Sequence, residues 1–380
     1  MTIQNMWTNF MLVFLLLNLF VLGTIVGSLL NVCIYRLPLE KSIVWPGSRC
    51  GHCLQDIRWY DNIPLLSYLL LRGRCRVCGA RFSSRYFLIE LLTGLCFAGL
   101  FYLEVVADVH GLDPQGIQAQ RIERLTLPTW QAWIVFSYHA LLVCFLIVAS
   151  FCDLDYREIP FSVTVPGTVI GLIGAVLFPW PWPYPYTHNG QFDPALAIKD
   201  MPAEMPWWLV DPNLGPKPGL YPWPFWGPLP AWFDAGGNWQ TGLVTGLLGA
   251  LAGTLLLRAI RFLFGLGLGI EALGLGDADL MMMAGSFLGW QPIVVAFFVG
   301  VFAGLVFGVA QLVLSGDNMM PFGPSLAVGI VVTFLCWYWL GPSVQMPFFN
   351  ATVVICMAVL GGILMFVASY FLRLIRVVRR

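Results

Sequence analysis

The chain has 380 residues, of which 58% are hydrophobic and only 11% are charged, and its mean hydropathy is +0.78. A soluble domain carries about 25% charged residues, so the composition excludes a soluble globular protein, a disordered chain and a coiled coil. The 20 basic and 20 acidic residues leave a formal net charge of zero, which argues against a nucleic-acid partner. We therefore predict an all-α polytopic membrane protein that is mainly surrounded by membrane lipid.

The first predicted element is an apolar run near residues 9–32. It is too long for a signal peptide, and it is followed by Arg36 rather than by a small-residue cleavage site. A bilayer core of about 30 Å needs roughly 20 apolar residues per helix, so we interpret this run as a retained membrane span. Comparable apolar runs predict further spans near residues 86–106, 130–152, 161–178, 240–264, 292–315, 324–341 and 349–372.

Residues 280–316 carry no charge but are too many for a single helix. Proline disfavours helical geometry in the residue before it. Gln291-Pro292 therefore predicts a break between a short helix at 280–290 and the span that follows it. With this helix the sequence predicts about nine membrane segments.

The basic residues predict the orientation of the chain. If the spans alternate, sixteen of the twenty basic residues fall on one side, and nine of them lie between the first and second spans. Cytoplasmic segments are enriched in lysine and arginine. We therefore expect the amino terminus outside and the carboxyl terminus in the cytoplasm.

The same pattern divides the chain into five regions. Residues 33–85 form a basic cytoplasmic domain between the first span (1–32) and a group of spans at 86–178. Residues 179–238 hold fourteen of the 26 prolines and seven of the sixteen tryptophans, and they precede the last group of spans at 239–380. Dense proline favours extended geometry and tryptophan suits the lipid headgroups. We interpret residues 179–238 as an extracytoplasmic cover without a catalytic role.

Four of the ten cysteines form two pairs, Cys50/Cys53 and Cys75/Cys78, separated by 21 residues. This spacing is typical of a structural Zn²⁺ site in which each pair forms a tight turn and supplies two thiolates. The run Cys50-Gly-His-Cys53 is alternatively a disulfide-exchange motif, but no βαβ pattern surrounds it. Structural disulfides are disfavoured in the reducing cytoplasm. We therefore predict a structural zinc domain.

Two acidic pairs lie at the predicted cytoplasmic ends of spans, Asp153 with Asp155 and Asp277 with Asp279. Acidic groups at a membrane edge are costly and indicate function, and two carboxylates that share a proton can act as general base and general acid. Their position on separate spans favours Asp153 and Asp277 as a catalytic pair. The alternative is that Asp153, Asp155 and Arg157 form an interfacial ion cluster and that Asp277 caps the next helix. For Asp155 and Asp279 we weigh this alternative equally with a catalytic role. We interpret His139, within a span, as a packing residue.

Together these motifs resemble the prepilin peptidases, or type IV leader peptidases, which are polytopic aspartic proteases. The resemblance covers nearly the whole chain apart from residues 179–238 and the last span. It is carried by both cysteine pairs, both aspartate loops and the motifs at residues 27–31, 35–38, 59–68, 72–75, 85–86, 90–94 and 321–324.

The resemblance implies cleavage of the leader of prepilins or pseudopilins at the cytoplasmic face of the bacterial inner membrane. It implies that Asp153 and Asp277 are the two catalytic aspartates. It further implies methylation of the new amino terminus with S-adenosylmethionine, since members with the cysteine-bearing domain carry that activity. Two positions depart from the family pattern: Gly51-His52 replaces a proline-containing pair, and Asp279 stands where lysine is common.

Two other classes of function stay open. A membrane carrier could use the aspartates to conduct protons, but a carrier is expected to show internal repeats and acids near the bilayer midplane. A thiol–disulfide exchanger could use Cys50 and Cys53, and its activity should then survive the loss of Cys75 and Cys78.

Overall fold

The computed structural model describes residues 3–110, 121–122, 126–177, 239–269, 274–315, 321–344, 348 and 351–378. These residues are mostly helical, and apart from two isolated β-bridges they contain no strand. The predicted all-α fold is confirmed. The predicted cover at 179–238 lies outside the described residues.

The chain forms two compact units, Met1–Val163 and Thr164–Arg380. The described helices of the first unit are α1 (Ile3–Arg36), the short α2 (Leu66–Leu70), α3 (Ser84–Phe101), which continues as a π-helical turn (Tyr102–Val106), and α4 (Trp130–Tyr156).

Small residues bring α1 and α3 together. A Cβ atom added at Gly23 would lie 2.8 Å from the Cα atom of Gly94, and one added at Gly27 would lie 2.8 Å from the Cα atom of Glu90. The two α1 glycines are four residues apart, the spacing with which membrane helices approach closely. The α1–α3 pair then forms the surface against which α4 packs.

The second unit contains the remaining described helices. They are α5 (Phe161–Leu177), which begins just before the boundary, α6 (Trp239–Leu268), α7 (Leu275–Leu288), α8 (Trp290–Ser315), α9 (Gly323–Val344) and α10 (Ala351–Val378). Eleven of the fourteen residues of α7 are buried, so this short helix is the centre of the unit. It packs against α6, α8 and α9.

Six described helices are long and apolar enough to cross a membrane: Phe10–Leu39, Ser84–Val106, Ala132–Tyr156, Gly242–Leu268, Trp290–Val313 and Thr352–Phe371. They coincide with six of the predicted spans, and the chain is a multi-pass membrane protein. Helix α5, helix α7 and the apolar part of α9 are shorter. The number of nine membrane segments therefore stays a prediction.

The break predicted at Gln291-Pro292 lies earlier, at Gly289. This residue has a φ of 87° and ends α7, a conformation that glycine adopts without the steric cost of a β-carbon. Pro292 instead lies in the first turn of α8, where its missing N–H costs no helical hydrogen bond. The sequence also placed Asp277 and Asp279 ahead of the short helix, but α7 begins at Leu275 and contains both.

Candidate active site and metal centre

The structure brings the four predicted metal ligands together. The Sγ atoms of Cys50, Cys53, Cys75 and Cys78 all lie within 4.8 Å of one another, and those of Cys50 and Cys78 are 3.8 Å apart. Two sulfurs that each lie about 2.3 Å from a tetrahedral ion are about 3.8 Å apart. A disulfide would need about 2.05 Å, and all four cysteines are free. The cluster therefore fits a tetrahedral metal ion such as Zn²⁺.

The two cysteine pairs have the same backbone fold. In each turn the N–H of the first cysteine donates to a carbonyl five residues later, and the carbonyl of that cysteine accepts from the N–H four residues later. The bonds are Cys50 to Gln55 (3.0 Å) and Leu54 to Cys50 (2.9 Å), then Cys75 to Ala80 (2.8 Å) and Gly79 to Cys75 (2.9 Å). The matching positions Leu54 and Gly79 both have left-handed φ values, 58° and 72°. The sequence therefore folds as two equivalent turns, each of which contains one cysteine pair.

The backbone also prepares one sulfur for metal binding. The N–H groups of Cys53 and His52 donate to the sulfur of Cys50 and lower the pKa of its thiol to about 6. The thiolate is the form that binds metal. The Ala80 N–H lowers the pKa of Cys78, but burial and the neighbouring thiols outweigh it and raise that pKa to about 11. Protons held in the cluster would be released when a metal binds.

Two contacts stabilise the cysteine-bearing segment. The guanidinium of Arg76 pairs with both carboxylate oxygens of Asp61, at 2.5–3.0 Å, and holds the pKa of Asp61 below its usual range. Glu90 of α3 accepts a hydrogen bond of 2.9 Å from the N–H of Leu65, which has a left-handed φ of 59°. Glu90 therefore ties a strained part of the segment to a membrane helix.

Asp153 lies in the last turns of α4 and is 7% exposed. The helix ends where Arg157, at a φ of 55°, donates its N–H to the carbonyl of Asp153 at 2.9 Å. Two residues later, Asp155 forms an ion pair with Arg85, which lies at the start of α3 directly after the cysteine-bearing segment. Asp153 is therefore at the end of the first unit that adjoins the predicted metal domain.

Asp277 is the third residue of α7 and is 8% exposed. The N-cap position belongs to Gly274, which has no side chain, and Asp277 lies in the first turn that follows it. A Cβ atom at Gly274 would lie only 3.5 Å from Oδ2 of Asp277. The carboxylate thus lies over the first turn, where the helix dipole favours negative charge.

Asp155 and Asp279 each have an arginine partner that sequence reasoning did not find. Asp279 is buried and accepts a 3.3 Å hydrogen bond from Arg258 of α6, as Asp155 pairs with Arg85. These pairs favour the ion-pair alternative for both residues. No local spacing indicates them, because each joins two helices.

The two predicted catalytic residues belong to different units, Asp153 to the first and Asp277 to the second. Within its own unit, each is a buried carboxyl group near one end of a helix. Each also lies two residues before an aspartate that pairs with an arginine.

Two family models match the chain. A model described as the bacterial peptidase A24 N-terminal domain matches residues 21–103, and one described as the type IV leader peptidase family matches residues 140–190 and 225–309. No solved structure gives a significant match.

Several curated proteins are similar over most of the chain. A prepilin leader peptidase/N-methyltransferase of Dickeya chrysanthemi is 31% identical over 355 residues, which cover 84% of this chain and 93% of that protein. One of Myxococcus xanthus is 33% identical over 298 residues, or 78% of this chain and 63% of that protein. A type 4 prepilin-like proteins leader peptide-processing enzyme of Escherichia coli is 28% identical over 331 residues, or 82% and 90%.

Proposed function

The chain belongs to the type IV leader peptidase family, and we propose that it is a membrane aspartic endopeptidase that removes the leader from prepilins or pseudopilins. The names of its relatives support this activity and not a carrier or a thiol–disulfide exchanger. The chain spans 63% of the Myxococcus relative but 90–93% of the Escherichia and Dickeya relatives.

Asp153 and Asp277 are the proposed catalytic pair. In the reaction, one carboxylate takes a proton from water while the water oxygen attacks the scissile carbonyl carbon. The other carboxyl group donates its proton to the carbonyl oxygen. The carboxyl group that took the proton from water then donates it to the leaving amine as the C–N bond breaks, and the other carboxylate recovers a proton from the tetrahedral intermediate as the new carboxyl group forms. Two carboxyls that share one proton titrate as a unit, so a single negative charge serves both roles.

The observation that carries this proposal is the burial of one carboxyl group near a helix end in each of the two units. Asp155 and Asp279 pair with Arg85 and Arg258. Asp153 and Asp277 are buried, at 7% and 8% exposure, and each lies near one end of its helix. Acidic groups buried at helix ends of a membrane protein are functional candidates. Gly274 beside Asp277 leaves room for a substrate backbone to approach.

The test is cleavage of a purified prepilin by the purified chain, measured from the masses of the products. Asp153→Asn and Asp277→Asn should each abolish cleavage, and the double variant should be no worse because the pair acts as a unit. Asp155→Asn and Asp279→Asn are matched controls and should keep more activity. Activity at about a tenth of normal or more in either catalytic variant, a barrier change of only about 1.4 kcal/mol, would reject the pair.

The four cysteines are the proposed ligands of a structural zinc ion. Bound there, zinc would supply a crosslink between the two turns that contain Cys50/Cys53 and Cys75/Cys78. One zinc ion per chain should copurify with this site, and Cys75→Ser should release it and expose residues 40–80 to protease. Metal-free protein with a Cys50–Cys53 disulfide would instead support the exchanger.

The basic residues support a cytoplasmic location for this domain and an outside amino terminus, in the bacterial inner membrane. Protease added to the outer face of spheroplasts should leave the domain intact. Cleavage between Arg49 and Arg81 under these conditions would show that the domain lies outside, which is the opposite of the proposed orientation.

Methylation of the new amino terminus is a second proposed activity, favoured by the names of the relatives. The methyl group of S-adenosylmethionine would move from sulfur to the amine nitrogen, which then loses a proton. The described residues contain no strand from which a glycine-rich donor-binding turn could start, so we assign no residue to the donor. Labelled donor should leave the label on the cleaved product. Cleaved product that stays unmodified with saturating donor would leave only the peptidase.

A further inference from the structure

A buried cluster of three polar side chains lies in the first unit, apart from the sites described above. Glu104 comes from the π-helical turn after α3, His110 follows that turn, and His139 lies in α4. Oε1 of Glu104 is 2.5 Å from Nδ1 of His139 and 3.3 Å from Nε2 of His110. The two imidazole rings are 5.9 Å apart between centroids. His139 is thus buried, as a packing residue would be, but it contacts a carboxylate.

The cluster is almost closed to solvent. The side chains of Glu104, His110 and His139 are 2%, 2% and 1% exposed. Oε2 of Glu104 is buried and has no hydrogen-bond partner among the described residues. A buried carboxylate oxygen without a donor is strongly unfavourable, so the second oxygen of Glu104 points to a ligand that the described residues do not supply.

The backbone at Glu104 is also unusual. Tyr102–Val106 forms a π-helical turn with Glu104 at its centre. Such turns insert one residue into a helix and are frequent at functional sites, because they redirect a side chain. Here the turn directs the carboxylate toward the face of α4 that bears His139.

We propose that Glu104, His110 and His139 bind a divalent transition-metal ion, with Zn²⁺ as the best fit. Two neutral imidazoles and one carboxylate form a ligand set that zinc and related ions take, and they leave a fourth position open. The three ligand atoms lie within 4.8 Å of one another. Two ligands at about 2.1 Å from a tetrahedral ion are about 3.4 Å apart, so the 3.3 Å between Glu104 and His110 already fits and the His139–Glu104 contact has to lengthen.

This site is separate from both sites described above. His139 and Asp153 lie on the same helix, and the rise between them is about 21 Å. Glu104 lies beyond the far end of α3 from Ser84, where the cysteine-bearing segment ends. The family models match residues 21–103 and 140–190, so all three ligands fall in the stretch that neither model covers. The bound ion would crosslink the ends of α3 and α4 that lie away from Asp153.

The first test needs no variant. The full chain in detergent is stripped of metal with a chelator and titrated with Co²⁺, whose thiolate complexes absorb strongly in the near ultraviolet. The thiolate bands from Cys50, Cys53, Cys75 and Cys78 should stop growing near one equivalent of Co²⁺ per chain. The weak visible bands of an ion bound by oxygen and nitrogen should continue to grow up to about two equivalents of Co²⁺ per chain. Saturation of all bands at one equivalent would overturn the proposal and indicate a hydrogen-bonded triad alone.

Variants then assign the second ion. Glu104→Gln and His139→Ala should each lower the metal content of the purified chain from about two ions to about one, with the thiolate bands unchanged. Ser137→Ala is the matched control, because Ser137 is exposed on the same turn of α4 as His139 and donates to the carbonyl of Trp133. Unchanged metal content in both ligand variants, or an equal loss in the control, would reject the assignment. Prepilin cleavage need not change in any of them.

Discussion

The backbone contact between α6 and α7 allows a sharp prediction about the position of Asp277. A Cβ atom at Gly249 would lie 2.0 Å from the carbonyl oxygen of Gly285 and 2.7 Å from the Cα atom of Gly289. In the other direction, a Cβ atom at Gly285 would lie 2.1 Å from the carbonyl oxygen of Gly249. Both obstacles are backbone atoms, so no side chain can rotate away. Gly249→Ala must therefore push the two helices apart.

The size of the displacement follows from these distances. An ordinary contact begins at 3.4 Å, so the helices must separate by about 1.4 Å if the whole clash is relieved. Overpacking of this kind costs about 1–3 kcal/mol. Because α7 carries Asp277 in its first turn, the proposed catalytic carboxyl group should move with it. A misplacement of about 1 Å can cost about 100-fold in rate.

The assay compares Gly249→Ala with Gly265→Ala. Both glycines lie on α6, but a Cβ atom at Gly265 meets nothing within 4 Å. Gly249→Ala should lower the unfolding temperature in detergent and reduce prepilin cleavage by up to about 100-fold. Gly265→Ala should leave cleavage unchanged and stabilise the helix by up to about 1 kcal/mol. If Gly249→Ala matches wild type in both measurements, α6 and α7 are not in backbone contact, and their spacing does not set the position of Asp277.

Three further predictions concern the cysteine-bearing segment. Leu54 is 72% exposed and has a φ of 58° at the position where the second turn has Gly79. Leu54→Gly should therefore raise the free energy of local unfolding of the segment, measured by protease resistance, by up to about 1 kcal/mol, whereas Gly79→Ala should lower it by about 1 kcal/mol. An increase in both variants would contradict the equivalence of the two turns. Arg76 depresses the pKa of Asp61, so this carboxylate stabilises the fold at a pH above its ordinary pKa of about 3.9, and the stabilisation is lost as the pH falls through the depressed value. The difference in the free energy of unfolding between wild type and Asp61→Asn should therefore vanish at low pH. A difference that does not depend on pH would exclude the ion pair as its cause. Glu90→Gln should weaken the hold on the N–H of Leu65 and speed hydrogen exchange at that amide, while Glu40→Gln, on an exposed side chain nearer α1, should not.

The positions of the helices could be predicted from the sequence because lipid imposes a simple rule. A span must bury an apolar run of about 20 residues and satisfy its own backbone hydrogen bonds, so apolar runs mark helices wherever they occur. The spacing of the cysteines was equally informative, since two residues between thiolates suit one tight turn. The break between α7 and α8 was misplaced because both a glycine and a proline can end a helix, and only φ at Gly289 distinguishes them.

Contacts between helices were decided only by the tertiary structure. Arg85 and Asp155 are 70 residues apart in the chain, and Glu104 and His139 are 35 apart, so no periodicity relates them. The glycine contacts that set the spacing of α6 and α7 are likewise invisible in sequence, where Gly249 and Gly265 look alike. A sequence pattern indicates which helix face or apolar run must be buried away from water. The partner of each polar side chain depends instead on which helices pack together and on how each helix is rotated about its axis. For this protein the sequence therefore determined the helices, the cysteine turns and the two candidate aspartates, and the packing decided which acids pair with arginines and which form a second buried cluster.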